Sequence, residues 1–272
     1  MTKRNNITKT PQLIIESNLS KAWVMAVAQI LDNSGSEISP LLISITGFSE
    51  DGKPVENIKV RQALDSLLKE KGFRNIENVA HTIFPQQIWN LCKNDREQLY
   101  KIYKNVFNRY KEMNKKDNQR GSYFDRLTQY GRGQLNGNQL EWIINQYNQR
   151  NNVRRSMLQA SIFDPARDHL PIAQLQFPCL QQISFVPTDN GLILNAFYAT
   201  QQLFDKAYGN YLGLSRLGAF MASQINMKLH AINISIGVAK LERITKNEIN
   251  NSLLGNEILS LCNRHQYSLL DI

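Results

Sequence analysis

The length, composition and charge of the chain exclude several classes of protein. With 272 residues, 42% of them hydrophobic and 20% charged, the chain has enough apolar material to bury a large core. No stretch approaches the roughly 18 consecutive apolar residues of a membrane span, and the start of the chain lacks the apolar region of a secretory signal. We therefore expect a cytoplasmic protein without a membrane partner. The net charge of +9 favours an anionic partner.

The first half of the chain combines helical and strand-like patterns. Residues 1–19 are predicted to be a polar lead-in, followed by a single domain over residues 20–272. Ser20 has the chemistry of an N-cap for the first helix. Apolar periodicity predicts a helix at 20–31, a strand at 40–48 and amphipathic helices at 59–71 and 95–113.

The second half of the chain also combines helical and strand-like patterns. Helical spacing of apolar residues predicts helices at 138–150 and 214–225 and helical character at 249–261. Strand-like apolar runs occupy 156–163, 177–185 and 192–197. Together these patterns predict an α/β or α+β fold, a large mixed sheet backed by helices.

The densest group of basic residues lies at positions 111–120, where Lys111, Lys115, Lys116 and Arg120 occur. No platform of interleaved aromatic residues accompanies them, as it does in single-strand binding proteins. A solvated helix end accounts for such a group better than a polyanion site does. The pattern therefore disfavours a nucleic-acid partner.

The chain has three cysteines, Cys92, Cys179 and Cys262, which are odd in number and far apart. Their spacing fits neither a metal site nor a disulfide framework, so we expect no metal and at least one free thiol. Taken alone, Cys179 is more typical of a buried small hydrophobe than of a nucleophile. His169 precedes it by ten residues and could serve as its base, but a loop histidine is more often simply exposed.

The residues around Cys179 carry a family resemblance. Arg154 and Arg155 begin an apolar run, a proline precedes the cysteine, and Asn210 follows it by 31 positions. This arrangement resembles the core of the thymidylate synthase family, and especially its archaeal-type branch. The segment at 121–127, Gly-Ser-Tyr-Phe-Asp-Arg-Leu, is similar to a tyrosine-containing segment of the same family. The resemblance implies a thymidylate synthase-like domain that forms a homodimer through its sheet.

The resemblance also assigns the reacting residues. Cys179 would attack carbon 6 of a pyrimidine nucleotide or related substrate, which makes carbon 5 a nucleophile toward a one-carbon group. Asn210 would hold the edge of the base, and Tyr123 would lie in the hydrogen-bond network of the site. A methyl or hydroxymethyl group would come from a reduced folate, methylenetetrahydrofolate. Without the family, Tyr123 is typical of an aromatic packed beside a glycine turn, and Asn210 of ordinary turn chemistry.

Arg154, Arg155 and Thr200 are the implied phosphate-binding residues. In the family, the arginine pair reaches across the dimer interface to the nucleotide of the partner subunit, and a planar guanidinium can bind two phosphate oxygens together. On extended backbone the two adjacent side chains would point to opposite sides. A salt bridge at a strand edge is the alternative. Thr200 keeps a hydroxyl where the family has a serine.

Several positions depart from the family pattern. Ala199 and Gln202 stand where the family has a phosphate-binding arginine and an aspartate of the folate and pyrimidine side. Ala239 and Leu241 stand where the family has the histidine and tyrosine that bind the sugar hydroxyl. No counterpart of the catalytic glutamate is assigned. Because charge-assisted bonds are worth about 1.5–3 kcal/mol each, these losses predict a changed substrate.

Two hypotheses follow from these matches and departures. In the first, the chain is a divergent thymidylate synthase-like transferase that uses Cys179 to transfer a methyl or hydroxymethyl group to carbon 5 of a pyrimidine. In the second, it is a catalytically inactive homodimer of the same fold that binds a nucleotide-like ligand or another protein. The retained cysteine and asparagine favour the first hypothesis, and the lost clamp residues favour the second.

Overall fold

An eight-stranded mixed β-sheet lies at the centre of the structure, a computed structural model that describes residues 7–8, 10–113, 120–169, 171 and 178–268. The strands are β1 (Ile7–Thr8), β2 (Gln12–Glu16), β3 (Glu37–Ile38), β4 (Leu41–Ile45), β5 (Gln159–Ser161), β6 (Leu180–Thr188), β7 (Gly191–Gln202) and β8 (Leu229–Lys240). Their order across the sheet is β1-β3-β8-β7-β6-β5, with β4 paired to both β8 and β2.

Helices cover the sheet and connect its strands. In chain order they are α1 (Leu19–Asp32), α2 (Ile58–Glu70), α3 (Ile76–His81), α4 (Gln86–Leu91), α5 (Arg96–Met113), α6 (Tyr123–Thr128), α7 (Gln139–Gln149), α8 (Pro165–Asp168), α9 (Tyr208–Gln224), α10 (Lys246–Asn250) and α11 (Leu253–Ser268). The expectation of a mixed sheet backed by helices is confirmed. Among the described residues, no helix is long and apolar enough to cross a membrane.

The longest strands set the direction of the sheet. β6 pairs antiparallel with both β5 and β7, whereas β7 and β8 are parallel. A parallel pair needs a long crossover, and here α9 supplies it. Because side chains alternate along a strand, Leu194 of β7 and Ile234 of β8 are buried beneath the helices, while Phe197 is 44% exposed on the opposite face.

The start of the chain differs from its prediction. Within the predicted polar lead-in, β2 pairs in parallel with β4 over its full length, and its residue Ile14 is buried in the core. The first helix is capped by Asn18, whose side chain accepts a hydrogen bond from the backbone N–H of Lys21. Ser20, the predicted cap, is buried instead, and its hydroxyl lies 2.7 Å from the hydroxyl of Tyr208.

Glycine allows α9 to approach α3 closely. A Cβ on Gly209 would lie 2.6 Å from the Cβ of Val79 and 2.9 Å from the backbone oxygen of Ile76. We expect Gly209→Ala to lower the free energy of unfolding by about 1–3 kcal/mol, since overpacking outweighs the better helix propensity of alanine. Urea denaturation followed by circular dichroism measures the change.

Gly218, in the same helix, provides the matched control. A Cβ there would lie 2.8 Å from a terminal methyl carbon of Leu229, which can turn aside because it ends a flexible side chain. Gly218→Ala should therefore cost less than Gly209→Ala. Equal losses for both variants would contradict the role given to the contact between α9 and α3.

Candidate functional site

The thiol of Cys179 lies at the entry to β6, beside the end of β7. Its side chain is half-buried, and the hydroxyl of Thr200 donates to the sulfur at 3.7 Å. The backbone N–H of Ala199 donates to the carbonyl of Cys179 at 3.0 Å. These contacts hold the cysteine backbone and its sulfur against the neighbouring strand.

Tyr123 begins α6 and lies next to the same thiol. Ser122 caps this short helix by accepting a hydrogen bond from the backbone N–H of Asp125. Burial raises the pKa of the Tyr123 hydroxyl, the nearby sulfur of Cys179 raises it further, and the backbone N–H groups of Leu180 and Cys179 oppose the rise. The hydroxyl is therefore protonated at neutral pH and can donate a hydrogen bond.

Two further tyrosines and a glutamine form a buried group at the end of β7 and the start of α9. Tyr198 and Tyr211 are fully buried, and the hydroxyl of Tyr211 donates to Oε1 of Gln201 at 2.9 Å. Burial raises the pKa of both hydroxyls, and for Tyr198 the neighbouring Tyr123, Tyr211 and Cys179 add to the rise. We call Tyr123, Tyr198, Tyr211 and Gln201 the tyrosine floor.

Two polar atoms of the tyrosine floor have no hydrogen-bond partner among the described residues. They are the hydroxyl oxygen of Tyr198 and Nε2 of Gln201, and both are buried. An unpaired buried polar group costs free energy. Both atoms are enclosed by protein, so their unpaired state is a cost to the fold.

Asn210 occupies the first turn of α9 rather than a glycine-rich turn. It is 4% exposed, and the glycines on either side, Gly209 and Gly213, bring this end of the helix onto α3. The next residue, Tyr211, belongs to the tyrosine floor and donates to Gln201. Asn210 therefore lies one residue from the floor, and no hydrogen bond between described residues joins it directly to Cys179.

Arg154 and Arg155 lie far from the thiol of their own chain. Both are exposed, and the predicted strand at 156–163 is shorter than expected, since a 3₁₀ turn at Arg155–Met157 precedes β5. Leu158 accepts a hydrogen bond from the backbone N–H of Phe185, six residues beyond Cys179. At about 3.3 Å per strand residue, Phe185 lies on the order of 20 Å along the chain from Cys179, and the arginines precede its partner Leu158.

The arrangement around this arginine pair departs from the prediction in a second way. Arg154 has extended backbone, but Arg155 belongs to the 3₁₀ turn, so the two side chains do not alternate as on a strand. In the part of the chain that the structure describes, neither guanidinium forms an ion pair, which disfavours the strand-edge salt bridge. His169 is exposed and its ring contacts Phe163, as expected for a loop histidine.

A buried ion pair near Tyr123 was missed from the sequence. Arg126 and Asp168 are 2% and 0% exposed, and two guanidinium nitrogens of Arg126 bind the two carboxylate oxygens at 2.7 and 2.8 Å. Arg126 also donates to the backbone oxygens of Ile162 and Arg120. The pair fastens α6 to α8. Because charged residues are seldom fully buried, nothing in the sequence pattern distinguished these two from surface charges.

The structure places no charged or sugar-binding side chain at the four positions that depart from the resembled family. Ala199 is exposed, and the amide of Gln202 donates to Glu242 at 3.3 Å. Ala239 and Leu241 are 0% and 5% exposed, so hydrocarbon packs at the two positions where the sequence analysis expected no sugar clamp. None of these four side chains restores a charged or sugar-binding group.

The chain was compared with models of known protein families and with curated proteins, and neither comparison finds a match. Within the described residues, no group of three or more histidine, cysteine, aspartate or glutamate side chains is arranged to hold a metal ion. The conclusions about function therefore depend on the geometry around Cys179.

Proposed function

We propose that the chain is a thymidylate synthase-like transferase in which Cys179 activates carbon 5 of a pyrimidine for one-carbon transfer. The observation that carries this proposal is the half-buried thiol with the hydroxyl of Thr200 at 3.7 Å and Tyr123 beside it. A purely structural cysteine is more often enclosed by hydrocarbon. Here the sulfur packs against the core on one side and accepts a hydrogen bond from the hydroxyl of Thr200 on another.

The chemistry begins with addition of the thiolate. A sulfur electron pair forms a bond to carbon 6, and the electrons of the carbon 5–carbon 6 double bond move to the carbonyl oxygen at carbon 4, giving an enolate. Carbon 5 then takes up an electrophile, either a proton or a one-carbon group. Loss of the original carbon 5 proton and departure of the thiolate restore the double bond. Tyr123 would donate a hydrogen bond within this network.

A reduced folate remains the proposed donor of the one-carbon group. Gln202 stands where the resembled family has an aspartate on the folate side. It is neutral and bonded to Glu242, so it does not reproduce the contact that the aspartate makes with folate. The described residues do not fit the folate in the way the family holds it. We therefore derive no step through it, and the test below uses a reaction that needs no donor.

We also propose that the protein is a homodimer formed through its sheet. In register across five strands, the surface opposite the helices carries Leu13, Leu42, Ser235, Phe197 and Gln182 in one row and Ile15, Ser44, Asn233, Asn195 and Ser184 in the next. We call these ten residues the open sheet face. Leu13 and Ile15 are 62% and 65% exposed, and large exposed apolar patches are typical of interfaces.

The polar row of the open sheet face supports the same proposal. The hydroxyl of Ser44 donates to Asn233, the amide of Asn233 donates to Asn195, and the amide of Asn195 donates to Ser184. These side chains form hydrogen bonds with one another within the sheet. A partner that covers the row would therefore displace few hydrogen bonds to water. A second copy of the chain offers the same rows, and such self-complementary faces form twofold dimers.

Hydrogen–deuterium exchange at carbon 5 of a pyrimidine in D₂O tests the proposed chemistry without any donor. We expect the wild-type protein to catalyse exchange on one or more uracil or cytosine compounds, followed by proton NMR. Cys179→Ser should lower the rate by at least about 10³-fold, because the covalent step is lost. Cys262→Ser, the same change at another half-buried thiol, is the matched control and should retain the rate.

The alternative is an inactive homodimer of the same fold that binds a nucleotide-like ligand or another protein. The buried hydrocarbon at Ala239 and Leu241 favours it, since these positions no longer offer a sugar clamp. A wild-type dimer that exchanges no compound in a broad pyrimidine panel would replace the enzyme proposal with this one. An exchange rate that survives in Cys179→Ser would contradict the role of the thiol.

A further inference from the structure

We propose that an open cavity beside α7 binds single-stranded nucleic acid, with one base in the cavity and the phosphates on arginines at its edge. The cavity has a volume of about 560 Å³, within the range of small-ligand pockets. It is lined by α7, by the turn before that helix and by the 3₁₀ turn before β5. Of the described residues that line it, none belongs to the Cys179 site, so the inference does not depend on the proposed function.

The face of α7 that lines the cavity carries one aromatic residue and three amides. Trp142, Asn145, Gln146 and Gln149 follow one another at the i, i+3, i+4 and i+7 spacing that places side chains on one side of a helix. Trp142 packs against the core but is only half-buried. An indole in such a position can stack on a base, and stacking does not require a particular base.

The side-chain amides around the cavity can bond the edges of a base. Gln134 adds a fourth amide from the turn before α7, and Leu135 and Met157 complete the lining with apolar surface. No hydrogen bond between described residues uses any of these four side-chain amides. Each offers two N–H donors and a carbonyl acceptor, and the edge of a base presents both kinds of group.

Arginines supply positive charge at one edge of the cavity. Arg150 is itself a lining residue, and the backbone oxygen of Arg154 accepts a hydrogen bond from the N–H of Met157 at 2.9 Å. Arg155 belongs to the same 3₁₀ turn as Met157. All three arginines are exposed, and among the described residues none of them forms an ion pair. A guanidinium can bind two phosphate oxygens together, so these arginines suit successive phosphates of a strand.

No acidic side chain opposes this charge among the described residues that line the cavity. Glu141, the acidic residue of α7, is bound through both carboxylate oxygens by Arg96 of α5. The basic residues at 111–120 lack an aromatic platform, which disfavoured a nucleic-acid partner there. At the α7 cavity an indole and arginines occur together, which is the combination that single-strand binding requires.

Fluorescence anisotropy tests the inference on the full-length protein, with fluorescein-labelled oligoadenylate and oligouridylate of about sixteen nucleotides. We expect each single strand to bind at least about tenfold more tightly than the duplex formed by annealing the two, because a duplex encloses its bases. Adenosine and uridine 5′-monophosphate, measured as competitors, should bind at least about tenfold more weakly than the strands, since one phosphate leaves most of the arginines unused.

Two variants locate the binding. Trp142→Leu should weaken single-strand binding at least about fivefold and leave duplex binding unchanged, because only an unpaired base reaches the indole. Arg150→Ala should weaken single-strand binding about fivefold and reduce the slope of log affinity against log salt by about 0.7, the loss of one phosphate contact. Arg109→Ala, the same change at an exposed arginine of α5, is the matched control and should alter the affinity by less than about twofold.

Several outcomes would overturn the inference. They are equal affinity for strand and duplex, monophosphates bound as tightly as the strands, no binding of either strand at low salt, and single-strand binding that survives in Arg150→Ala. Urea denaturation shows whether Trp142→Leu keeps the fold. Arg150 is exposed, so its variant remains decisive if Trp142→Leu does not fold.

Discussion

We expect Asp168→Ala to lower the free energy of unfolding by about 3–5 kcal/mol, the largest loss predicted for a single side chain here. The change removes both carboxylate oxygens that Arg126 binds at 2.7 and 2.8 Å and leaves a buried guanidinium without an opposite charge. It also removes the acceptor of the backbone N–H of Asp164. Urea denaturation at neutral pH, followed by circular dichroism, measures the loss.

Two further variants show whether the ion pair is the cause. Asp189, exposed in the turn between β6 and β7, is the control, and Asp189→Ala should change stability by less than about 0.5 kcal/mol. An Arg126→Met, Asp168→Leu double variant should recover part of the loss, since no buried charge then lacks a partner. A mild effect of Asp168→Ala would show that water reaches Arg126 and would contradict the burial seen here.

The same pair predicts how stability varies with pH. Burial alone would raise the pKa of the Asp168 carboxyl, but the hydrogen bonds from Arg126 and from the backbone N–H of Asp164, with the charges of Arg126 and Arg167, hold that pKa below its ordinary value. The pair therefore stabilises the fold above about pH 4, where an unfolded aspartate is ionised, and the stabilisation is lost as pH falls through the lower folded pKa. Asp168→Ala should flatten that acid dependence.

The second large effect concerns the open sheet face. We expect Phe197→Glu to convert the proposed homodimer into a monomer, because a twofold interface would bury the new carboxylate twice without a partner. Phe197 is 44% exposed and aligned with Ser235 and Gln182 in the register of the sheet. Light scattering coupled to size-exclusion chromatography gives the mass in solution.

Leu91 offers a control for this substitution. It ends α4, away from the sheet, and is 75% exposed, so Leu91→Glu should leave the mass unchanged. A wild-type protein with the mass of one chain would exclude the proposed dimer. A Phe197→Glu protein that keeps the mass of two chains would show that the subunits associate through another surface.

Local patterns were sufficient for most of the regular elements. The helix predicted at 95–113 is α5, the one at 138–150 is α7, and the strand at 40–48 contains β4. Amphipathic periodicity is a property of residues close in sequence, so it can be recognised without knowledge of the fold. Neither β2, which falls in the expected polar lead-in, nor β8 was predicted from the sequence. Other errors fell at the ends of elements, as at Ser20 and Arg155, where one side chain's packing decides the outcome.

The candidate site shows more clearly what could not be predicted from the sequence. Cys179, Tyr123 and Thr200 were selected from the family resemblance, and the structure brings these three side chains together. The resemblance itself, and the reaction it implies, remain predictions. Tyr198 and Gln201 were missed, because a tyrosine and a glutamine within an apolar strand carry no signal of their own.

The amino-acid sequence alone was enough to indicate the mixture of helices and strands and a free thiol, because both are local or compositional properties. Folding decided which distant residues meet. Only the register of five strands aligns the open sheet face, and only the packing of α6 against α8 brings Arg126 to Asp168. Such contacts join residues far apart in the chain, and their free energies depend on the whole packed core rather than on any short segment.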